Sequence, residues 1–372
     1  MTKSNLEAIR AASGDFGAEV PRRHANHLRT SAGSMTGSPA VATDPATTDP
    51  EDGEPVLSPD IKAAFSKFTQ SRMATRSAIA AAAMAKHNRI RLPYPRQIEA
   101  MGEFEEVRLL GLAMRGEQQL GLTIFERSGC GKSTAAAQYR LLRLAEATGG
   151  RQPVVHCRLS AGGGVRDMYV SILAELGDGF SNAGTERTLR MRAMDALEVA
   201  GVELLFLDEA QHGGKKSGFA GAMTSEVKIL LDCGQVPIIL LGTEEAIPII
   251  QADVELSGRM ISPCRLGPLD WFDDDDRDLW IGFLDALDAR MVDDRVVAAT
   301  AGLADEGLAE ALWKVCEGVI GQLMRVTLVA VRQVARDGRG AIDRRDLADA
   351  VNQWSLGHGF TKINHVAKLI GS

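Results

Sequence analysis

Residues 120–134 read Leu-Gly-Leu-Thr-Ile-Phe-Glu-Arg-Ser-Gly-Cys-Gly-Lys-Ser-Thr, and no other stretch constrains the chain as much. Leu120 to Phe125 is an apolar run of strand length, as a buried strand requires. A turn with two glycines follows, and a helix is expected from about Lys132. Strand, glycine turn and helix N-terminus make a cradle of backbone N–H groups for phosphate. Gly129 and Gly131 let the backbone curl without a Cβ in the way. Within this layout Ser128, Gly129, Cys130, Gly131, Lys132, Ser133 and Thr134 are the candidate nucleotide contacts. Lys132 would reach the β- and γ-phosphates, and Ser133 would ligate Mg2+. Cys130 reads as a small loop residue. One position departs from the pattern G-x-x-x-x-G-K-[ST]: Glu126 stands where its first glycine belongs.

A second constellation lies downstream. Leu204 to Leu207 is apolar and ends in Asp208-Glu209. Two acids closing a buried strand suit a nucleotide hydrolase: Asp208 holds Mg2+ through water and Glu209 orients the attacking water. Gly242-Thr243 ends another apolar run, and the short Thr243 side chain is either a holder of the catalytic water or a turn former. Arg259 follows the next expected helix. An arginine there can complete a neighbouring subunit's site by stabilising charge on the transferring phosphoryl group; Arg265 is the alternative. Gln211 and His212 are read as relays from the acids into the loop carrying Lys215 and Lys216. Those lysines, with Arg166, are candidate DNA-phosphate contacts or simply solvated charges.

Between these landmarks strands and helices alternate. Strands are expected at 154–159, 202–209, 236–241 and about 264–269, and helices at 132–148, 165–176, 185–200, up to 233 and up to 257. That alternation predicts an α/β fold with a doubly wound parallel sheet and ligands at the strand C-terminal ends. From Asp273 only helical patterns remain, at 273–290, 306–317, 320–336 and 343–354. The Asp273–Asp276 run suits a helix N-terminus; a metal site there is the sharper reading.

Upstream, residues 1–57 carry few large apolar side chains, and such a segment cannot offset its ordering entropy. It is read as a disordered N-terminal tail. A basic helical region follows over 58–116. Residues 61–98 hold eight Lys or Arg and no acid, either a solvated helix face or an arm for DNA phosphate or an acidic partner. Arg91-Leu-Pro-Tyr-Pro-Arg96 interrupts that helix, because its two prolines forbid continuation. The remaining divisions are an ATPase core over 117–270, a helical lid over 271–357 and a C-terminal tail over 358–372. The net charge of −7 does not favour nucleic acid, but charge distribution matters more than the sum. Five cysteines without C-x-x-C spacing argue against a zinc or disulfide framework. The polar N-terminus and the lack of any long apolar run lead to an expected cytoplasmic protein with no membrane partner.

These residues resemble AAA+ ATPases of the TniB/TnsC type, the ATP-dependent regulators of transposition. The likeness covers roughly residues 88–350. It rests on Arg91-Leu-Pro-Tyr-Pro-Arg96, Ser128-Gly-Cys-Gly-Lys-Ser-Thr134, Pro153-Val-Val-His156 and Met168 to Gly177. Leu207-Asp-Glu-Ala-Gln-His212, Val236 to Thr243 and Glu255-Leu-Ser-Gly-Arg259 are also similar. Glu317 to Arg325 is similar to the family's helix with a sensor-2 function, which makes Arg325 a nucleotide contact, although its spacing differs from the commoner Gly-x-x-Arg. The resemblance implies a P-loop AAA+ domain with sheet order 5-1-4-3-2, a C-terminal all-helical lid, and ATP with Mg2+ as cofactors. It also implies a homo-oligomer, ring or helical filament, on double-stranded DNA, and an integrase-type transposase as partner. Two other readings keep part of this: an ATPase serving secretion, replication initiation or helicase loading, and a nucleotide-gated signalling module without DNA.

Overall fold

The computed structural model describes residues 61, 66–67, 72–92, 94–214 and 219–371. The expected tail over 1–57 and the Lys215–Lys216 loop lie outside them.

The first described helix, α1 (Arg72–Arg89), carries no acid in its first turn and Lys86, His87 and Arg89 in its last, where cations oppose the negative dipole end. After it Ile90, Leu92 and Tyr94 are buried. Pro95 opens α2 (Pro95–Ala113) at its first position, where a missing N–H is harmless. Then follow β1 (Gly121–Phe125), α3 (Lys132–Glu146), β2 (Val154–Arg158), α4 (Val165–Glu175), α5 (Glu186–Val199), β3 (Leu204–Asp208), α6 (Phe219–Asp232) and β4 (Ile238–Gly242). The strands pair in parallel in the order β1-β4-β3-β2.

Every residue of β3 and β4 is buried, as expected of parallel strands covered on both faces. Side chains alternate across the sheet. Leu122, Ile124, Leu204, Phe206, Ile239 and Leu241 join one core cluster; Val155, Cys157, Leu205, Leu207, Ile238 and Leu240 join the other. Phe206 anchors the first by edge-on contacts with Phe104 at 4.9 Å and His156 at 5.8 Å. Register places Phe125 opposite Gly242 and Arg158 opposite Asp208. The strand ends of the two sequence constellations therefore share one edge of the sheet.

Two expectations fail here. No strand forms over 264–269. The place beside β1 is taken by an irregular segment: Gly121 N–H donates to Arg259 O, Ile261 N–H to Gly121 O and Cys264 N–H to Thr123 O, with a single bridge at Met260. Pro263 has no N–H to give a ladder, so the expected order 5-1-4-3-2 is four strands, 1-4-3-2. The single helix expected up to Ser257 is a 3-10 turn, α7 (Ile247–Gln251) and α8 (Val254–Ser257). Asp253 restarts it by accepting from Leu256 N–H, which is the geometry of an N-cap.

The C-terminal helices are α9 (Asp274–Asp293), α10 (Glu306–Cys316), α11 (Ile320–Asp337), α12 (Arg344–Ala350) and α13 (His365–Lys368). A π-helical turn, Val351–Leu356, continues α12 where one helix to Trp354 is expected. These helices do not own a separate core; Trp280, Leu284, Leu312, Leu323 and Val331 belong to the cluster that covers one sheet face. The α11 stripe of Leu323, Val326, Ala330 and Val334 is buried, and α1 packs along α11. Asp273 caps α9 through Asp276 N–H, while Asp276 pairs with Arg96 and accepts from Asp270 N–H. The acidic run is thus a helix cap and a tie to α2. Among the described residues no cluster of three metal-ligating side chains exists.

Candidate nucleotide site

The glycine turn between β1 and α3 has the backbone its sequence demands. Gly129 and Gly131 adopt φ of 90° and 97°, a region that disfavours any Cβ. Space matters as much as torsion. A Cβ on Gly131 would lie 2.2 Å from Gln97 Nε2, and one on Gly129 3.1 Å from Val319 Cγ1. Gln97 donates to Gly131 O at 3.1 Å, so α2 braces the turn. Lys132 is buried, and its Nζ donates to the carbonyls of Glu126 and Arg127 at 2.6 and 3.0 Å. Burial lowers its pKa; the nearby Asp208, Glu126 and Glu209 oppose that. The opening N–H groups of α3 have no intrahelical acceptors, which leaves them to an anion.

Glu126 does not block the turn. Its carboxylate lies toward Leu266, whose backbone hydrogen-bonds it, and 3.2 Å from the position of a Cβ on Gly267. Burial raises its pKa, moderated by that bond and by Lys132. The hydrogen bond from Lys132 goes to its carbonyl, and a carbonyl is the same in Glu and Gly.

Across the sheet edge, burial raises the Asp208 carboxyl, but hydrogen bonds from His156 and Ser133 and the Glu209 N–H hold it below its ordinary value. His156 Nε2 lies 3.1 Å from Asp208 Oδ2. Ser133 and Asp208 thus face each other, and together they would hold a metal ion. Glu209 has φ of 63°, which costs a non-glycine residue on the order of 1–3 kcal/mol and persists only where neighbours enforce it. Gln211 is such a neighbour. It donates to Glu209 Oε2 at 2.5 Å and accepts from Thr243 N–H at 3.0 Å. A Cβ on Gly242 would lie 2.9 Å from Gln211 Oε1, so that glycine makes room for the bridge. Thr243 Oγ1 is buried with no protein partner, although buried hydroxyls ordinarily have one. His212 Nδ1 lies 3.0 Å from Leu159 O at the end of β2.

The helical segment closes the third side. Gly321 N–H donates to Gly129 O at 2.9 Å, and a Cβ on Gly321 would sit 2.6 Å from that oxygen. Arg127 pairs with Glu317 at 2.8 Å, both half exposed. A pocket of about 300 Å³ opens between the turn, the start of α11 and the 87–94 segment, with Thr134, Gln138, Phe283 and Arg325 in its wall. Arg325, placed at the site only by family likeness, does face the phosphate turn's helix. The pocket shares Gly129, Gly131 and Thr134 with the turn and its helix, while Asp208 and Glu209 lie outside its wall.

Residues 84–266 match the model of the family described as TniB: Bacterial TniB protein. This chain belongs to the TniB family. The TniB match spans the phosphate turn, both acids and Thr243, and ends before α9. Among solved structures, Cdc6p from Pyrobaculum aerophilum has a TM-score of 0.52 at 15% identity, over 69% of this chain and 67% of that one. The Aeropyrum pernix ORC1 protein in complex with DNA gives 0.52 at 16%, over 70% and 65%. The Aeropyrum pernix ORC2 protein in ADPNP-ADP complexes gives 0.50 at 13%, over 68% and 67%. At such identities the likeness establishes the AAA+ fold alone. No curated protein matches the chain.

Within this TniB-family chain the remaining candidates fall away from the turn. Arg259 sits beside the first residue of β1, at the opposite end of the strand from Lys132. Its guanidinium makes a bidentate pair with Asp232 at 2.8 and 2.9 Å and donates to Glu255 O. Arg265 is exposed near Glu126. Arg166 donates to Asn182 and to Gly184 O, so it braces a loop of its own chain. In the basic region Arg96 pairs with Asp276 and Lys86 donates to Arg295 O, whereas Arg76 and Arg89 are exposed. Sequence reasoning gave no role to Gln97, His87, Tyr94 or Gly321, although Tyr94 and Gly321 stand inside the stretches that carry the resemblance; each acts through a contact distant in sequence. Among the described residues no helix is long and apolar enough to cross a membrane.

Proposed function

We propose that this TniB-family AAA+ protein binds ATP with Mg2+, hydrolyses it between subunits of a homo-oligomer assembled on double-stranded DNA, and recruits an integrase-type transposase to that DNA. One observation carries the nucleotide part: the contact of Ser133 with Asp208, flanked by Lys132 and Glu209, at the shared ends of β1 and β3. Ser133 would hold Mg2+ directly and Asp208 through water, and the ion would supply charge neutralisation on the phosphates. Lys132 would turn its Nζ from the two carbonyls to phosphate oxygens. Glu209 would orient the attacking water, and Gln211 would keep its carboxylate aimed. The free Thr243 hydroxyl would hold that water from the other side. Arg325 would reach the nucleotide from α11.

Arg259 cannot serve its own chain's phosphates from the far end of β1, so it supports action on a neighbour. In this reading it exchanges Asp232 for the neighbour's phosphate when subunits stack. DNA contact is supported by the exposed basic side of α1; Lys215 and Lys216, outside the described residues, are further candidates. The Aeropyrum pernix ORC1 protein, of like fold, was solved with DNA.

The test is electron microscopy and sedimentation of the purified chain with duplex DNA and a non-hydrolysable ATP analogue. Nucleotide-dependent assemblies on DNA are expected. Their affinity should fall steeply with salt, since each neutralised phosphate releases counterions. A chain that stays monomeric with both ligands contradicts the proposal, and a flat salt response removes α1 from the DNA contact.

A further inference from the structure

Glu126, which stands where the phosphate-turn pattern has glycine, makes a bond with each of its three polar groups. Its N–H donates to Gly242 O at 3.1 Å, at the end of β4. Its carbonyl accepts from Lys132 Nζ at 2.6 Å. Its carboxylate takes the backbone N–H of Leu266. The same carboxylate stands against Gly267, where a Cβ would lie 3.2 Å from Glu126 Oε2. A glycine at 126 offers the first two bonds and not the third. Leu266 is fully buried, and a buried N–H that loses its acceptor is costly.

Leu266 heads the link between the sheet and the C-terminal helices. The far end of that link is tied to those helices. Leu269 N–H donates to Gly318 O at 3.1 Å, and Leu269 O accepts from Trp313 Nε1 at 2.8 Å. Asp270 N–H donates to the Asp276 carboxylate at 2.9 Å. A Cβ on Gly318 would lie 2.0 Å from Leu269 O, so link and helices are in close contact, and close-packed interiors transmit displacement. From α2, Arg96 donates to the carbonyls of Gly267 and Pro268 at 3.2 and 3.3 Å. Glu126 thus joins the phosphate turn to the head of a link whose other end belongs to the helical segment.

We propose that Glu126 is a positioning residue that carries nucleotide occupancy from Lys132, through Leu266, to the C-terminal helices. The inference rests on the nucleotide reading above and adds the path by which a bound triphosphate is felt in the helical segment. A ligand shifts an arrangement only where it changes contacts between states. Here the changed contact is Lys132 Nζ with Glu126 O, which the lysine gives up when it turns to phosphate oxygens. The Glu126 N–H stays anchored on β4, so the released carbonyl lets the rest of the residue move. The carboxylate passes that movement to Leu266, and the link passes it to Gly318 and Trp313. Gly321 N–H on Gly129 O ties the same helices to the turn at a second point. Removing the Glu126 side chain therefore loosens the coupling without detaching the helices.

Tryptophan emission reads the helical segment selectively, because all four tryptophans, Trp271, Trp280, Trp313 and Trp354, lie beyond residue 270. The test is titration of ATP with Mg2+, without DNA, into the full chain, Glu126→Gly and Glu126→Gln, with calorimetric binding and tryptophan emission measured on the same samples. In the unsubstituted chain emission should change in step with binding. Glu126→Gly restores the glycine of the pattern and keeps both backbone bonds. It should bind ATP within about tenfold of the unsubstituted chain, the size of one hydrogen bond, and lose the emission change. Glu126→Gln keeps an oxygen to accept from Leu266 N–H and should keep the emission change. Should Glu126→Gly fail to fold, Glu126→Leu decides: it has similar bulk and no acceptor, and it too should bind without the emission change. A full emission change per bound nucleotide in Glu126→Gly or Glu126→Leu overturns the proposal, even if the variant melts at a lower temperature. So does binding to the unsubstituted chain with no emission change, or equal loss of the change in Glu126→Gln. Abolished binding in Glu126→Gly overturns it as well, since Glu126 then belongs to the phosphate cradle. Failure of the unsubstituted chain to bind ATP refutes the nucleotide reading itself, a result distinct from lost coupling.

Discussion

Glu209→Gln should bind ATP with Mg2+ as tightly as the unsubstituted chain and hydrolyse it about 10²–10⁴-fold more slowly, the usual contribution of a positioned acid–base group. Gln has the volume of Glu and can keep the bond to Gln211, so the strained φ of 63° at this position remains supported. What is lost is a carboxylate able to accept a proton from water. Because nucleotide then persists, assemblies that depend on it should accumulate. Single-turnover hydrolysis beside equilibrium binding separates the two effects. Near-normal turnover would remove Glu209 from the reaction and leave its strained backbone unexplained.

The second large effect is expected at Arg259. Arg259→Ala should reduce turnover by about 10³–10⁵-fold if it stabilises the transferring phosphoryl group, while nucleotide affinity changes little. Its ion pair with Asp232, whose side chain is 43% exposed, contributes about 1 kcal/mol or less to the fold. Loss of turnover therefore cannot be charged to unfolding, and a thermal melt checks this. Mixing Arg259→Ala with Lys132→Ala subunits should restore hydrolysis, since intact nucleotide sites then meet intact arginines across an interface. Turnover in Arg259→Ala equal to the unsubstituted chain contradicts a role in trans, and Arg265→Ala is then the variant to measure.

What could be read in advance was local. The phosphate turn, the Asp208-Glu209 pair and the strands at 154–158, 204–208 and 238–242 announce themselves through short apolar runs with special residues at their ends. Buried parallel strands and glycine turns obey nearest-neighbour rules, so one sequence suffices. The misreadings are equally physical. Residues 264–269 carry strand-like apolar positions, yet Pro263 denies the segment a ladder beside β1. The helix expected to reach Ser257 breaks because Asp253 satisfies Leu256 N–H better as a cap than as a helix interior residue. Glu126 looked like a defect because its side chain was judged against the phosphate turn, whereas it packs toward Leu266 and Gly267, some 140 residues away by number. Gln97 bracing Gly131, Gly321 bonding Gly129 and His87 bonding Thr327 are also contacts between distant segments. No periodicity or motif encodes them; they exist only once the sheet, α2 and α11 are assembled.

Titration of ATP with Mg2+ into the unsubstituted chain and into Lys132→Ala tests the central claim most directly. The account predicts saturable binding of one nucleotide per chain, lost in Lys132→Ala because the α3 N-terminus alone must then hold a triphosphate without its buried cation. No binding to the unsubstituted chain, or equal binding to Lys132→Ala, would contradict it.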